Sequence, residues 1–232
     1  MIKQHEHDAM IDETTPRGRI IAAAMNLAKD IAWHDLTLLD IAEAAGVSLA
    51  EVKQHFFAKA DILRGFTAAI DDAVLAKPAK RAAHQSPRDA IFEVVMNRFD
   101  ALVPYKPALA SIMRDARSAD PALLRTVLTS QHWMLQAAGV DTAGVEGAVR
   151  TLGLASVYAA VFRTWLDDDD PGMARTMAAL DRRLRQGERN LQMLDGLCGF
   201  SRRITGLLRP GGRRPSGPTT EPPASPPQPS SP

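Results

Sequence analysis

Cysteine is almost missing from this chain of 232 residues: Cys198 stands alone, so no intramolecular disulfide can form. That suits a reducing compartment, and a single buried thiol is the simplest role for it. Aromatic residues are scarce at 5%, and charge of one sign is missing too, because 28 Lys and Arg face 27 Asp and Glu. A net charge of +1 announces no polyanionic partner, so any nucleic-acid claim must rest on local placement. No run of about 18 uncharged apolar residues occurs, since Arg163 interrupts the best candidate between Leu152 and Leu166. A secretory leader is not expected either: Glu6, Asp8, Asp12 and Glu13 sit where it would need Lys or Arg. A cytoplasmic location follows as the expectation. The chain also lacks a nucleophile elbow, a P-loop, an HExxH helix and paired catalytic carboxylates, so neither enzymatic activity nor a cofactor nor a metal is expected.

Proline is distributed unevenly. Nine of the 16 prolines lie between Pro210 and Pro232, among Gly, Ser, Thr and Gln. Such a composition cannot bury enough apolar surface to offset chain entropy, so 210–232 is expected to be a disordered tail and 1–15 a flexible arm. Between them the chain is rich in Ala, Leu, Met and Arg, all good helix formers, with no period-2 strand and no hairpin signal. The expected fold is all-α. Pro16 opens a first helix with Ile20, Ile21, Ala24, Leu27, Ala28 and Ile31 on one face. A fourth helix runs from Lys59 to Leu75, closed by Pro78. Further helices are expected at 88–103, 107–117, 121–138, 143–166 and 171–195, with Asp120 and Asp170 as N-caps.

The segment between Thr37 and His55 carries the functional signal. Thr37 with Asp40, and Ser48 with Glu51, have the spacing of two successive capping boxes. Ala44-Ala45-Gly46-Val47 lies between them: alanines for a close helix crossing, Gly46 for a left-handed turn, Val47 to plug the angle. Two short capped helices about a glycine turn make a helix-turn-helix.

These residues resemble the TetR family of bacterial regulators. The matching stretch is 17–63, with an alanine-rich first helix, Trp33, Thr37, Ile41-Ala42, Ala45-Gly46-Val47-Ser48, His55-Phe56 and Lys59. The resemblance implies a helix-turn-helix DNA-binding domain over 16–63 and a helical ligand-binding and dimerisation domain over 64–195. It implies that the helix opened by Ser48 lies in the major groove of an operator. Thr37, Ser48, His55 and Lys59 would cap helices or meet phosphates, Leu49 would face the groove, and Lys53 and Gln54 would point where base edges or backbone lie. A lysine at a helix start is electrostatically misplaced unless an anion approaches it, which agrees with a phosphate-facing Lys59. Lys53 stands where the family usually has a tyrosine, Ala50 where it has glycine, and Ala58 replaces the usual cap before Lys59. Over 16–63, five Lys and Arg meet six Asp and Glu, so affinity per subunit is expected to be modest and to depend on dimerisation.

In the second domain, Met96, Phe99, Met113, Trp133, Tyr158, Phe162 and Trp165 look like an adaptable apolar pocket, although each alone suits a helical core. The resemblance implies that a small apolar or amphipathic effector occupies it, and that 143–166 and 171–195 build a homodimer interface. The expected function is therefore a dimeric, ligand-responsive transcriptional regulator, a repressor. The run Asp167 to Asp170 precedes Pro171 and suits a loop with an N-cap.

One alternative stays open. From Arg175 to Arg214, ten arginines face three acidic residues, and 196–209 has the pattern of a basic amphipathic helix, with a membrane contact through 194–209. The stretch Tyr158 to Leu184 is similar to TetR-fold lipid-binding accessory proteins of ubiquinone biosynthesis, which implies a non-enzymatic isoprenoid carrier instead.

Overall fold

A computed structural model describes residues 10–76, 85–115 and 121–189, and these are helical throughout, without a strand among them. The expected arm (1–9 of it), Cys198, the amphipathic segment 194–209, the tail 210–232 and the Asp120 cap lie outside the described residues.

Thr15 opens the first helix, α1 (Pro16–Leu27), its hydroxyl accepting from the Gly18 amide while Pro16 occupies the first turn. Ile20, Ile21, Ala24 and Ala28 are buried as their spacing predicts. Ile31 is not: the helix stops at Leu27, and Ile31 sits in the following turns, 37% exposed. α2 (Leu38–Ala45) and α3 (Leu49–His55) follow and pack against α1. The long α4 (Lys59–Leu75) packs on α1 and then on α5 (Pro87–Leu102) and α7 (Pro121–Ala137), so one helix spans the head and the domain below it. Gly65 makes the first of these contacts possible. A side chain there would press at 3.1 Å on Phe56 and on Arg17, and at 3.2 Å on Ile21.

A 3-10 turn at Val103–Tyr105 separates α5 from α6 (Lys106–Asp115), one residue before the helix was expected to end. α8 (Gly144–Leu166) and α9 (174–189) complete the order among the described residues. The start expected at 171 is a turn instead. Asp170 bonds through its carboxylate to the amides of Gly172 and Ala174, Met173 adopts a left-handed φ of 51°, and the helix begins after it. The buried core is continuous from Ile11 to Leu184. By length and composition α8 is apolar enough to cross a membrane, and only 28% of that window is buried.

Candidate nucleic-acid interface

The helix-turn-helix is built from bonds a few residues apart. Thr37 accepts from the Asp40 amide at 3.1 Å, while the Asp40 carboxylate accepts from the Thr37 amide at 2.8 Å, a complete capping box. The Thr37 hydroxyl and amide together hold the Asp40 carboxyl below the usual carboxylate range. At the other end of α2, Gly46 adopts φ 64° and ψ 35°. Its amide bonds to the Glu43 carbonyl and that of Val47 to the Ala42 carbonyl, the two bonds of a Schellman turn. Val47 is partly buried against the core, and Ala45 rather than the exposed Ala44 makes the close crossing.

The second box forms by half. Ser48 accepts from the Glu51 amide at 3.1 Å and opens α3, but the return bond from Glu51 does not form. Within α3 only Val52 is buried; Phe56, just past its end, anchors the helix beside Arg17, whose guanidinium lies 5.5 Å from the ring centre. Ser48, Leu49, Ala50, Lys53, Gln54 and His55 are all exposed, as is Thr37. The two anchors fix which side of a seven-residue helix faces out. Phe57 follows, 84% exposed.

Lys59 is placed differently from this exposed set. Its ammonium donates to the carbonyls of Trp33, His34 and Leu36 and lies 5.4 Å from the centre of the Trp33 ring. An ammonium has three donors, and three carbonyls take them. The cation at this helix start is thus explained by the carbonyl ends of the loop that joins α1 to α2, without an outside anion. Ala58 cannot cap α4, and Asp61 replaces it: its carboxylate accepts from the amides of Phe57 and Ala58, both at 3.0 Å, and pairs with Arg64.

The seven residues expected to line an effector pocket divide. Phe99, Tyr158, Phe162 and Trp165 form one aromatic cluster, with Phe99 stacked on Tyr158 at 5.2 Å and Phe162 against Trp165 at 5.4 Å. Met96 is buried on the same helix as Phe99. Met113 and Trp133 are not with them; they are 42% and 49% exposed, on the outer faces of α6 and α7.

Beside that cluster lies a polar group that the sequence reading did not single out. Asp71 (α4), Arg98 (α5) and Ser130 (α7) are buried together: Arg98 pairs with Asp71 at 3.0 Å and donates to Ser130 at 3.2 Å, and Ser130 donates to Asp71 at 2.8 Å. The guanidinium also lies 5.3 Å from the Tyr158 ring centre. Burial raises the Asp71 carboxyl above the ordinary range, against the pull of Arg98 and Ser130. The signal was present: Asp71 follows Ile70 and precedes Val74, and Arg98 lies among Val94, Val95, Phe99 and Leu102, so each charge interrupts an apolar stripe. Of the acidic run after α8 only Asp168 is buried, accepting from the Thr176 amide at 2.8 Å and its hydroxyl at 2.7 Å.

Residues 20–65 match the model of a family described as bacterial regulatory proteins, tetR family. Among solved structures, the chain is similar to a TetR transcriptional regulator from Rhodococcus sp. RHA1, with 19% identity and a TM-score of 0.58 over 76% of this chain and 97% of that one. It is also similar to the TetR transcriptional regulator from Nitrosomonas europaea ATCC 19718, with 21% identity and a TM-score of 0.59 over 75% and 98%. No curated protein matches the chain by sequence. The match over 20–65 identifies a TetR-type helix-turn-helix, and the solved structures give the chain their fold.

Proposed function

We propose that the protein is a homodimeric transcriptional repressor that inserts α3 into the major groove of an operator and responds to a small effector with an apolar body. One observation carries this reading: α3 is capped at Ser48, anchored by Val52 and Phe56, and leaves Leu49, Ala50, Lys53, Gln54 and His55 exposed to solvent. In the groove these residues have distinct tasks. A carboxamide such as that of Gln54 can pair with both major-groove atoms of adenine, and the methyl groups of Leu49 and Ala50 suit the thymine methyl. Lys53 and His55 suit phosphate, and the exposed Thr37 and Ser48 hydroxyls lie at the helix starts that approach the backbone. Lys59 serves this surface by holding the α1–α2 loop against α4, and it reaches phosphate only by giving up a carbonyl.

A second copy of the chain fits the outer face of α8. Val145, Val149 and Leu152 are 82%, 44% and 58% exposed there, and the neighbouring Ala148, Gly153, Ser156 and Ala159 are small and exposed as well. Small residues allow close helix approach, and an apolar stripe of this kind is what an isologous interface buries. Two copies would place two α3 helices about 34 Å apart, one duplex turn. The capped, outward α3 gives no support to the isoprenoid-carrier alternative.

The experiment is selection of binding sites from random DNA by the full chain, followed by binding titrations across salt concentrations. A two-fold site with half-sites about one turn apart is expected. Lys53→Ala should weaken binding to all sequences and lower the salt slope by about 1 per subunit. No enriched site, with no binding at low salt, would remove the proposal.

A further inference from the structure

We propose that Arg98 and Gln131 form a buried receptor for the carboxylate of an aromatic or aliphatic monocarboxylate, and that this ligand competes with Asp71 for the Arg98 guanidinium. The inference rests on the effector-responsive reading above and names the chemistry of that effector.

The observation is a set of unmet polar atoms in the middle of the fold. Arg98 is 4% exposed, and its Nη1 has no hydrogen-bond partner, although Nε and Nη2 are engaged by Ser130 and Asp71. Gln131, the residue after Ser130 on α7, is fully buried, and neither its amide nitrogen nor its carbonyl oxygen is paired. Buried polar atoms of this kind are rare because each retains its full desolvation cost. Gln131 follows Ser130, which Arg98 contacts, so the three unmet atoms belong to neighbouring positions, and an anion that enters must displace Asp71 from the guanidinium.

The chemistry selects a carboxylate. A guanidinium presents a planar fork of donors that matches two carboxylate oxygens, and the Gln131 amide adds a further donor. The rest of the ligand must be apolar, because the wall beside Arg98 is Tyr158, stacked on Phe99 and 5.9 Å from Phe162. Those are members of the cluster already expected to receive an effector.

Competition follows from charge. One buried guanidinium neutralises one carboxylate, and Asp71 now holds that place. A ligand that takes the fork leaves Asp71 without its cation, and Asp71 belongs to α4. The same helix carries Lys59 twelve residues earlier, about 18 Å along its axis, where it fastens the α1–α2 loop. Occupation of the site therefore acts on the helix that supports the DNA-reading head.

The test uses the full chain with benzoate and octanoate as probes, and benzamide and octanamide as uncharged controls, read by calorimetry and by change in melting temperature. At least one carboxylate should bind, with its amide at least tenfold weaker, and it should lower DNA affinity by about tenfold. Gln131→Leu, which replaces unmet polar atoms with an apolar group of similar size, should fold, melt no lower than the wild type, and weaken carboxylate binding at least tenfold. Thr129→Ala, at an exposed position on the same helix, should change neither. Equal binding of acid and amide, no binding of either acid, or unchanged binding in Gln131→Leu would each overturn the proposal. Carboxylate binding by a chain that ignores DNA would refute the regulator and leave this site standing; DNA binding without any carboxylate response would do the reverse.

Discussion

The helix-turn-helix and the domain beneath it place their polar side chains in opposite ways. In the head, Thr37, Asp40 and Ser48 sit exposed at helix ends and Asp61 sits half-buried at another, each bonded to an amide within four residues. In the lower domain, Asp71, Arg98, Ser130 and Gln131 sit inside, and the bonds that form cross 32 or 59 residues of sequence. The head thus owes its geometry to local rules, and its outer face is left free to touch something else. The lower domain retains charge in its core, where the same groups cost most and respond most to a change of partner. α4 joins the two, packing on α1 at one end and on α5 and α7 at the other.

That contrast can be broken at its costliest point first. Arg98→Met should destabilise the fold by about 3–5 kcal/mol, because Asp71 is left buried without a cation. Arg98→Met with Asp71→Leu should recover most of that loss, since an apolar pair of similar volume has no charge to desolvate. Chemical denaturation of the two variants decides it, and equal losses would mean that packing and not charge is at stake.

Thr37→Ala is the matching change in the head. It removes one side of the capping box and should cost about 1 kcal/mol, with the loss confined to α2 and its neighbours in amide hydrogen exchange. A loss spread evenly down to α7 would refute the independence of the head.

The smallest effect is a pH dependence. Burial raises the Asp71 carboxyl above its ordinary value of 3.8. A carboxyl raised on folding stabilises most when protonated, below its unfolded pKa, and that contribution is lost as pH climbs through the raised value. Asp71→Asn does not titrate, so the stability gap between wild type and variant should narrow as pH rises from below the ordinary aspartate range. A gap that widens would place the Asp71 carboxyl below its ordinary value instead.

The same division explains what the sequence made legible. Caps, the Gly46 turn and the outward face of α3 follow from residues three or four apart, and Thr37, Gly46 and Ser48 could be read directly. Ser48 shows the limit: its spacing to Glu51 suggests a reciprocal box, yet only half forms. Local electrostatics alone leave Lys59 awaiting an anion, but the carbonyls that satisfy it arrive from residues 23 to 26 positions earlier. Met113 and Trp133 show the matching difficulty for composition, because a Met or aromatic count does not say which helix face it occupies. Asp71 and Arg98 each disturb an apolar stripe, but only the fold shows that the two disturbances meet.

If the exposed residues of α3 read bases, the loss of its one carboxamide must show it, and Gln54 carries that carboxamide. Wild type and Gln54→Ala should be titrated against the selected operator and its full set of single-base substitutions. Gln54→Ala should cost about 1–3 kcal/mol on the best site and lose discrimination at one position in each half-site, with other positions unchanged. An unaltered base preference at every position would contradict it.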